Sequence, residues 1–219
     1  MDFAEARRNM VNGQVKPNGV TDPRIFQAMQ DIPRERFAPP ALASRALADE
    51  DLALGGGRVL LQPMTIAKLI QLALPRPGER ALVVASGTGY GAAILASVGV
   101  SVVAVEGDEA LLAVAGPALA SSGLPTGSLR QIAGDPAAAP EGGPYDLILI
   151  EGAVPSIPPT LSGALAEGGR LVGIRVLAGR SGAAVIGRRI AGSFSVVEAF
   201  DASAPILPAF APKPGFVFA

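Results

Sequence analysis

Residues 81 to 106 constrain this chain most: "ALVVASGTGYGAAILASVGVSVVAVE" carries no charge before its final glutamate. An uncharged run of that length has to be tested as a membrane span. The "SGTGYG" at its centre would loosen a spanning helix, and the run divides into strand, loop, helix and strand instead. "ALVVA" (81–85) and "SVVAVE" (101–106) are rich in β-branched residues, and the stretch between them favours a helix. Together they form one βαβ unit.

The glycine loop is where chemistry is expected. After a strand, Gly87 and Gly89 let the backbone approach a ligand, and the following helix presents free N–H groups. Glu106 ends the next strand, at the spacing of roughly twenty residues from which a carboxylate reaches ribose hydroxyls. An acid closing an apolar strand needs a partner or a ligand, or else a solvated strand end. The competing view of the loop is a tightly packed core turn. Gly87, Gly89 and Ala92 also fit G-x-G-x-x-A, which admits an NAD(P)-binding oxidoreductase. Hydride transfer needs a proton donor, however, and Tyr90 and Tyr145 are the only phenols in a chain without histidine.

Elsewhere, residues 3–12 and 22–31 read as helices. Asp22 caps the second, Pro23 lies in its first turn, and Ile25, Met29 and Ile32 fall at helical spacing before Pro33. Residues 38–61 are mixed, with "GGG" at 55–57 marking a loop, and Pro63 opens a helix over 63–73. A helix near 108–122, a short strand at 128–132 and the strand "YDLILIEG" (145–152) follow. A helix near 158–166 and strands in "GGRLVGIRV", "AAVIGRRI", "FSVVEAF" and the terminal "GFVFA" complete the pattern. This alternation predicts an α/β fold: a doubly wound, mainly parallel, Rossmann-like sheet with helices on both faces and an antiparallel edge. Residues 1–75 are expected to form an N-terminal helical or lid segment packed on a core of residues 76–219, one structural domain in all.

Composition removes several functions. At 219 residues the chain can bury a sizeable core. A formal net charge of −1 and a pI near 5.5, with no basic stripe, argue against nucleic acid as a partner. Without cysteine or histidine there are no disulfides, thiolate nucleophiles, imidazole bases or usual zinc ligands. The carboxylates show no ligand spacing, so no metal is expected. "MDFAEARRNM" mixes acids with arginines and has no apolar h-region, which predicts no signal peptide and a cytoplasmic location. The mean hydropathy of +0.41 reflects an alanine-rich buried core, not contact with a membrane.

The order of motifs along nearly the whole chain resembles the protein-L-isoaspartate O-methyltransferases. "MQDIPRERFAPP" (29–40) is similar to that family's N-terminal signature, and "GGGRVLLQPMTIAKLIQLA" (55–73) to its G-Q-T-I-S-Q-P segment and the helix after it. "ALVVASGTGYGAAILA" resembles the cofactor loop, and "VVAVEGDEALLAVA" the ribose-binding strand and helix. "AGD" (133–135) falls where an adenine-side acid stands, and "PYDLILIEGAVPSIPPTLSGALAEGGRLV" resembles the strand and helix beside the active site. "EGAV", "FDASAP" and the closing "FVF" resemble a divergent, α-proteobacterial type of branch. The resemblance implies S-adenosyl-L-methionine as methyl donor and a protein or peptide acceptor with a free carboxylate. It implies cofactor contacts from Ser86, Gly87, Thr88, Gly89, Tyr90, Glu106, Gly134 and Asp135. Tyr90 either packs on the cofactor or fills the core at the helix start, and Asp135 either meets adenine or holds an ordinary turn.

The departures are concentrated at the site. Where the family's loop opens Glu-x-Gly-x-Gly-x-Gly, this chain has Val83, Ala85, Gly87 and Gly89. A negative charge facing the cofactor's cationic end is lost, and a Cβ appears where the backbone should be bare. The family's catalytic Ser or Thr falls on Leu61 and its preceding Thr on Val59. Small polar residues after the central strand are replaced by Glu151, Gly152 and Ala153. No catalytic residue is therefore assigned, and Gln62 and Glu151 are the nearest candidates. Glu151 is a substrate-side carboxylate, or else a capping or salt-bridged acid. Two expectations follow: a carboxylate methyltransferase with weakened cofactor binding, or a methyltransferase-fold binding or scaffold protein with little activity. Arg34 and Arg36 are expected in structural ion pairs. No motif sets the oligomeric state.

Overall fold

A computed structural model of the chain describes residues 2–140, 142–177 and 179–211, so the expected terminal strand "GFVFA" lies outside the described residues. Helix α1 (Phe3–Met10) is capped by the Asp2 carboxylate, which accepts the Ala4 and Glu5 N–H groups at 2.9 and 3.1 Å. It runs on through a wider turn at Val11–Val15 and reverses at Gly19, φ 84°. Helix α2 (Pro23–Asp31) starts as its sequence predicts, with Asp22 accepting from Arg24 N–H at 2.9 Å. The mixed region contains an antiparallel hairpin, β1 (Leu52–Gly55) and β2 (Arg58–Leu60), turned by the three glycines. Helix α3 (Pro63–Ala73) follows at once.

The expected βαβ unit is β3 (Arg80–Val84), α4 (Tyr90–Ser97) and β4 (Ser101–Glu106). Then come α5 (Glu109–Ala120), β5 (Leu129–Ala133), β6 (Tyr145–Val154), α6 (Pro159–Gly163), β7 (Leu165–Arg175), β8 (Ala183–Ile190) and β9 (Ser193–Asp201). One seven-stranded sheet runs in the order β5-β4-β3-β6-β7-β8-β9. The pairs from β5 to β7 are parallel, and β7–β8 and β8–β9 are antiparallel, which is the predicted edge. From β3 the chain winds outward to β5 and then returns to β6 on the other side. The C-terminal ends of β3 and β6 therefore flank a switch point, where open α/β sheets bind ligands.

Residues 81–84 of β3 and 147–150 of β6 are apolar at every position because both faces are covered. On β3, Ala81 and Val83 pack into one cluster with α3, α4 and the N-terminal residues Met10, Ile25, Met29 and Phe37. Leu82 and Val84 face the opposite cluster, with Ile148, Ile150 and Leu161. That second face has thinner helical cover. Among the described residues of the β5–β6 crossover, rich in proline and glycine, there is no helix, and α6 is only five residues long. The chain after β9 supplies the missing cover: Leu207 N–H donates to the Ala153 carbonyl at 2.9 Å, and Ala153 N–H to that of Pro205 at 3.2 Å. Gly152 (φ 149°) has to be glycine here, because a Cβ would sit 2.5 Å from the Leu207 side chain.

At the opposite end of the strands, Arg170 of β7 ties three elements together. It binds Glu79 through two hydrogen bonds of 2.8 and 2.7 Å and donates to the carbonyls of Ala73, Leu74 and Asp146. Burial alone would raise the Glu79 carboxyl, but the Arg170 hydrogen bonds and the Arg76 N–H outweigh it and hold Glu79 below its ordinary range. Arg170→Ala strands a half-buried carboxylate and is expected to cost about 3–5 kcal/mol in urea unfolding at pH 7. A depressed carboxyl stabilises above its ordinary value of 4.5 and loses that effect as pH falls through its folded value. The gap between variant and parent should accordingly narrow in acid.

Candidate active site

The loop from Ala85 to Gly89 joins β3 to α4, and three of its residues have left-handed backbone: Ala85 at φ 53°, Gly87 at 57° and Gly89 at 93°. An alanine in that region costs about 1 kcal/mol. The loop is buried throughout, and the hydroxyls of Ser86 and Thr88 have no hydrogen-bond partner among the described residues. Buried hydroxyls without partners are uncommon.

Glu106 closes β4 with 1 % of its surface exposed, and four donors converge on its carboxylate. Gly87 N–H reaches Oε2 at 2.7 Å, and Gly107 N–H, Asp108 N–H and Arg58 Nη1 reach Oε1 at 2.9, 3.0 and 2.8 Å. Arg58 comes from the first position of β2, and its other arm donates to the Ala85 carbonyl at 2.7 Å. The hairpin therefore lies across the glycine loop. A Cβ placed on Gly87 would be 3.7 Å from both the Arg58 guanidinium and the Leu54 side chain.

Beside this pair opens a cavity of about 510 Å³. Arg58, Ala85 and Glu106 form one wall, Gly107 and Asp108 the floor of the β4–α5 turn, and Pro136 and Leu207 the apolar sides. Of the eight cofactor residues implied by the family resemblance, Glu106 alone lines this cavity. Gly87 touches it indirectly, through its hydrogen bond to Glu106. Ser86, Thr88 and Gly89 do not line it, and Gly134 supports the wall by donating its N–H to the Glu106 carbonyl at 3.0 Å. Asp135 is exposed and accepts the Ala137 N–H at 2.9 Å, holding a turn, while its neighbour Pro136 faces the cavity. Pro136 and Leu207 fall in no recognised motif, and Arg58, inside the segment 55–73, was given no role there. The three glycines before Arg58 were the available sign that this segment approaches another backbone closely.

Tyr90 is fully buried at the start of α4, edge-on to Phe37 at 5.4 Å, with the Arg34 guanidinium 4.7 Å above its ring. Burial pushes its phenol up to about 12. Arg34 corrects an expectation: neither it nor Arg36 forms an ion pair among the described residues. Arg34 is wholly buried and instead donates to the carbonyls of Ala46 and Leu61, both at 2.6 Å, leaving Nη1 without a partner. Leu61 is itself buried, 3 % exposed. Gln62 is committed to the chain, its N–H to Asp51 at 2.8 Å and its amide to Thr65 at 2.8 Å.

Glu151 lies at the C-terminal end of β6, pressed against the start of α4. A Cβ on Gly91 would overlap its Oε1 at 2.0 Å, so the glycine is required for this acid to fit. Oε1 is buried without a partner. Burial, reinforced by the negative charge of Glu106, pushes the carboxyl up to about 8, against the pull of Arg58, Arg34 and the Ala92 N–H. At neutral pH it is mostly a protonated acid.

The protein-L-isoaspartate(D-aspartate) O-methyltransferase family profile matches residues 6–195. A Methylorubrum extorquens protein-L-isoaspartate O-methyltransferase is 44% identical over 171 residues, spanning 78% of this chain and 74% of the relative. A Rhodopseudomonas palustris protein of the same name is 39% identical over 171 residues, 78% of this chain and 69% of that one. A solved protein-L-isoaspartate O-methyltransferase superposes with a TM-score of 0.77 at 26% identity, covering 91% of this chain but only 65% of the longer solved one. A Plasmodium falciparum structure, described as such an enzyme in complex with S-adenosyl-L-homocysteine, shares the fold with a TM-score of 0.79 at 18% identity. The chain belongs to the protein-L-isoaspartate(D-aspartate) O-methyltransferase family.

Proposed function

We propose that this chain binds S-adenosyl-L-methionine at the cavity beside Glu106 and transfers its methyl group to a carboxylate on a protein or peptide. The observation that carries the reading is the cavity's place. It opens at the C-terminal edge of the sheet, with a buried carboxylate on its wall and apolar sides at Pro136 and Leu207. The residues present fit a nucleoside. Glu106 accepts the ribose hydroxyls, and a base lies between the Gly107–Asp108 turn and Pro136. Family membership does not favour the scaffold or NAD(P) alternatives, and the buried phenol of Tyr90 offers no proton donor facing the cavity.

When bound, the cofactor supplies an electrophilic methyl group on a sulfonium. A carboxylate acceptor is already an anion at neutral pH and needs no base, so the chain's task is to hold one oxygen in line and exclude water. Leu61 offers no hydroxyl for that purpose. We assign the positioning role to Glu151, whose neutral carboxyl donates a hydrogen bond to the incoming carboxylate, with Arg34 adding positive potential behind Leu61. Gln62 has its backbone N–H tied to Asp51 and its amide nitrogen held by Thr65, and is the weaker candidate. The isoaspartyl residue named for the family is the first acceptor to test.

Two measurements check this reading. Calorimetry should detect S-adenosyl-L-homocysteine binding, weakened about tenfold or more by Glu106→Ala through loss of hydrogen bonds to a charged acceptor. Radiolabelled methyl transfer to an isoaspartyl peptide should follow the same order. Absence of binding in the parent chain, or equal affinity in the variant, contradicts it. The second concerns Glu151. A carboxyl raised to about 8 makes the fold bind a proton that the unfolded chain releases near 4.5, so stability falls as pH rises between those values. Glu151→Gln should remove that slope and be more stable than the parent at pH 8, by on the order of 1–3 kcal/mol. Parallel urea-midpoint profiles from pH 5 to 9 for the two proteins would refute it.

A further inference from the structure

We propose that Arg58 is an internal competitor for the ribose site and sets the affinity of this chain for adenosyl ligands. The inference deepens the reading above and rests on it. A carboxylate offers about four acceptor positions. At Glu106, Oε1 is taken by the Gly107 and Asp108 N–H groups and one Arg58 guanidinium arm, whereas Oε2 takes only the Gly87 N–H. The three N–H donors are fixed by the loop and by the start of α5. The side chain of Arg58 is the one donor that can rotate away. A cis-diol that engages both carboxylate oxygens has to replace it at Oε1.

The same side chain also closes the far half of the pocket. The cavity wall includes Ala85 but stops short of Gly87, because the Arg58 guanidinium and Leu54 cover that glycine. A nucleoside fits the open half, and a 5′ tail directed along the loop enters the space Arg58 fills. Arg58 is poorly satisfied where it sits, since its Nε is buried with no partner among the described residues. That shortfall makes the closed position easier to leave. Asp108 lines the same cavity, and its Oδ2 lies 3.6 Å from the Cβ position of Gly56 in the hairpin turn. It is an acceptor to which a displaced guanidinium can turn. Arg58 thus acts on ligand selection: compounds without a cis-diol have no means of displacing it.

The test is calorimetric titration of the full chain with S-adenosyl-L-homocysteine, comparing the parent with Arg58→Gln and Arg58→Met. Glutamine keeps a neutral donor near Glu106, and methionine keeps volume without any donor, so a fold defect in one does not remove the other. Both variants should bind about ten- to a hundredfold more tightly than the parent, the equivalent of one charge-assisted hydrogen bond no longer to be displaced. The 2′,3′-dideoxy analogue of adenosine should gain nothing in either variant. Parent binding with unchanged or weaker affinity in the variants overturns the proposal and leaves the adenosyl site standing. Absence of binding in all three proteins overturns the adenosyl reading and the proposal together.

Discussion

A carboxylate buried at the end of β4 governs how the C-terminal edge of this sheet is organised. An uncompensated charge at that depth costs several kcal/mol, so the surroundings of Glu106 must supply donors. They come from three segments: the glycine loop through Gly87, the start of α5 through Gly107 and Asp108, and the hairpin through Arg58, 48 residues earlier in the chain. That convergence fixes the loop against the next strand and draws the hairpin across it. The pair itself adds little net stability, because two charges must be desolvated to form it, yet losing one partner alone is expensive. Its effect is to set where these three segments meet.

The two halves of the proposed site are built differently. Around Glu106 the fold holds a cavity and the glycine backbone, and Val83 and Ala85 are accommodated as apolar packing and modest strain. The proposed acceptor side is built from Leu61, Arg34 and Glu151. Leu61 is buried, and Arg34 stands behind it with one guanidinium nitrogen unpaired. Glu151 is a neutral acid fitted into the space left by Gly91.

Much of the fold was legible in the sequence. The apolar runs of β3, β4 and β6 have no alternation because helices and loops cover both faces, and the Asp22 and Pro23 signals placed α2 to within a residue. Glu106 stood out as an acid on an apolar strand. Residues 38–61 hid the hairpin, because strands of four and three residues have too few positions to show a period. Arg58 lies in the segment 55–73 that resembles the family motif, but nothing local marks its role, because its partner is 48 residues away. The Leu207 segment belongs to the cavity only through long-range packing on Gly152. Arg34 was expected to pair with an acid, but the segment folds so that carbonyl oxygens and the Tyr90 ring surround it.

The most direct test of this account is a crystal structure of the chain with S-adenosyl-L-homocysteine. The account predicts the ribose hydroxyls within hydrogen-bond distance of Glu106, the base beside Pro136, and the Arg58 guanidinium withdrawn from the carboxylate. A complex in which Arg58 still holds Glu106 as the ribose binds elsewhere would contradict it.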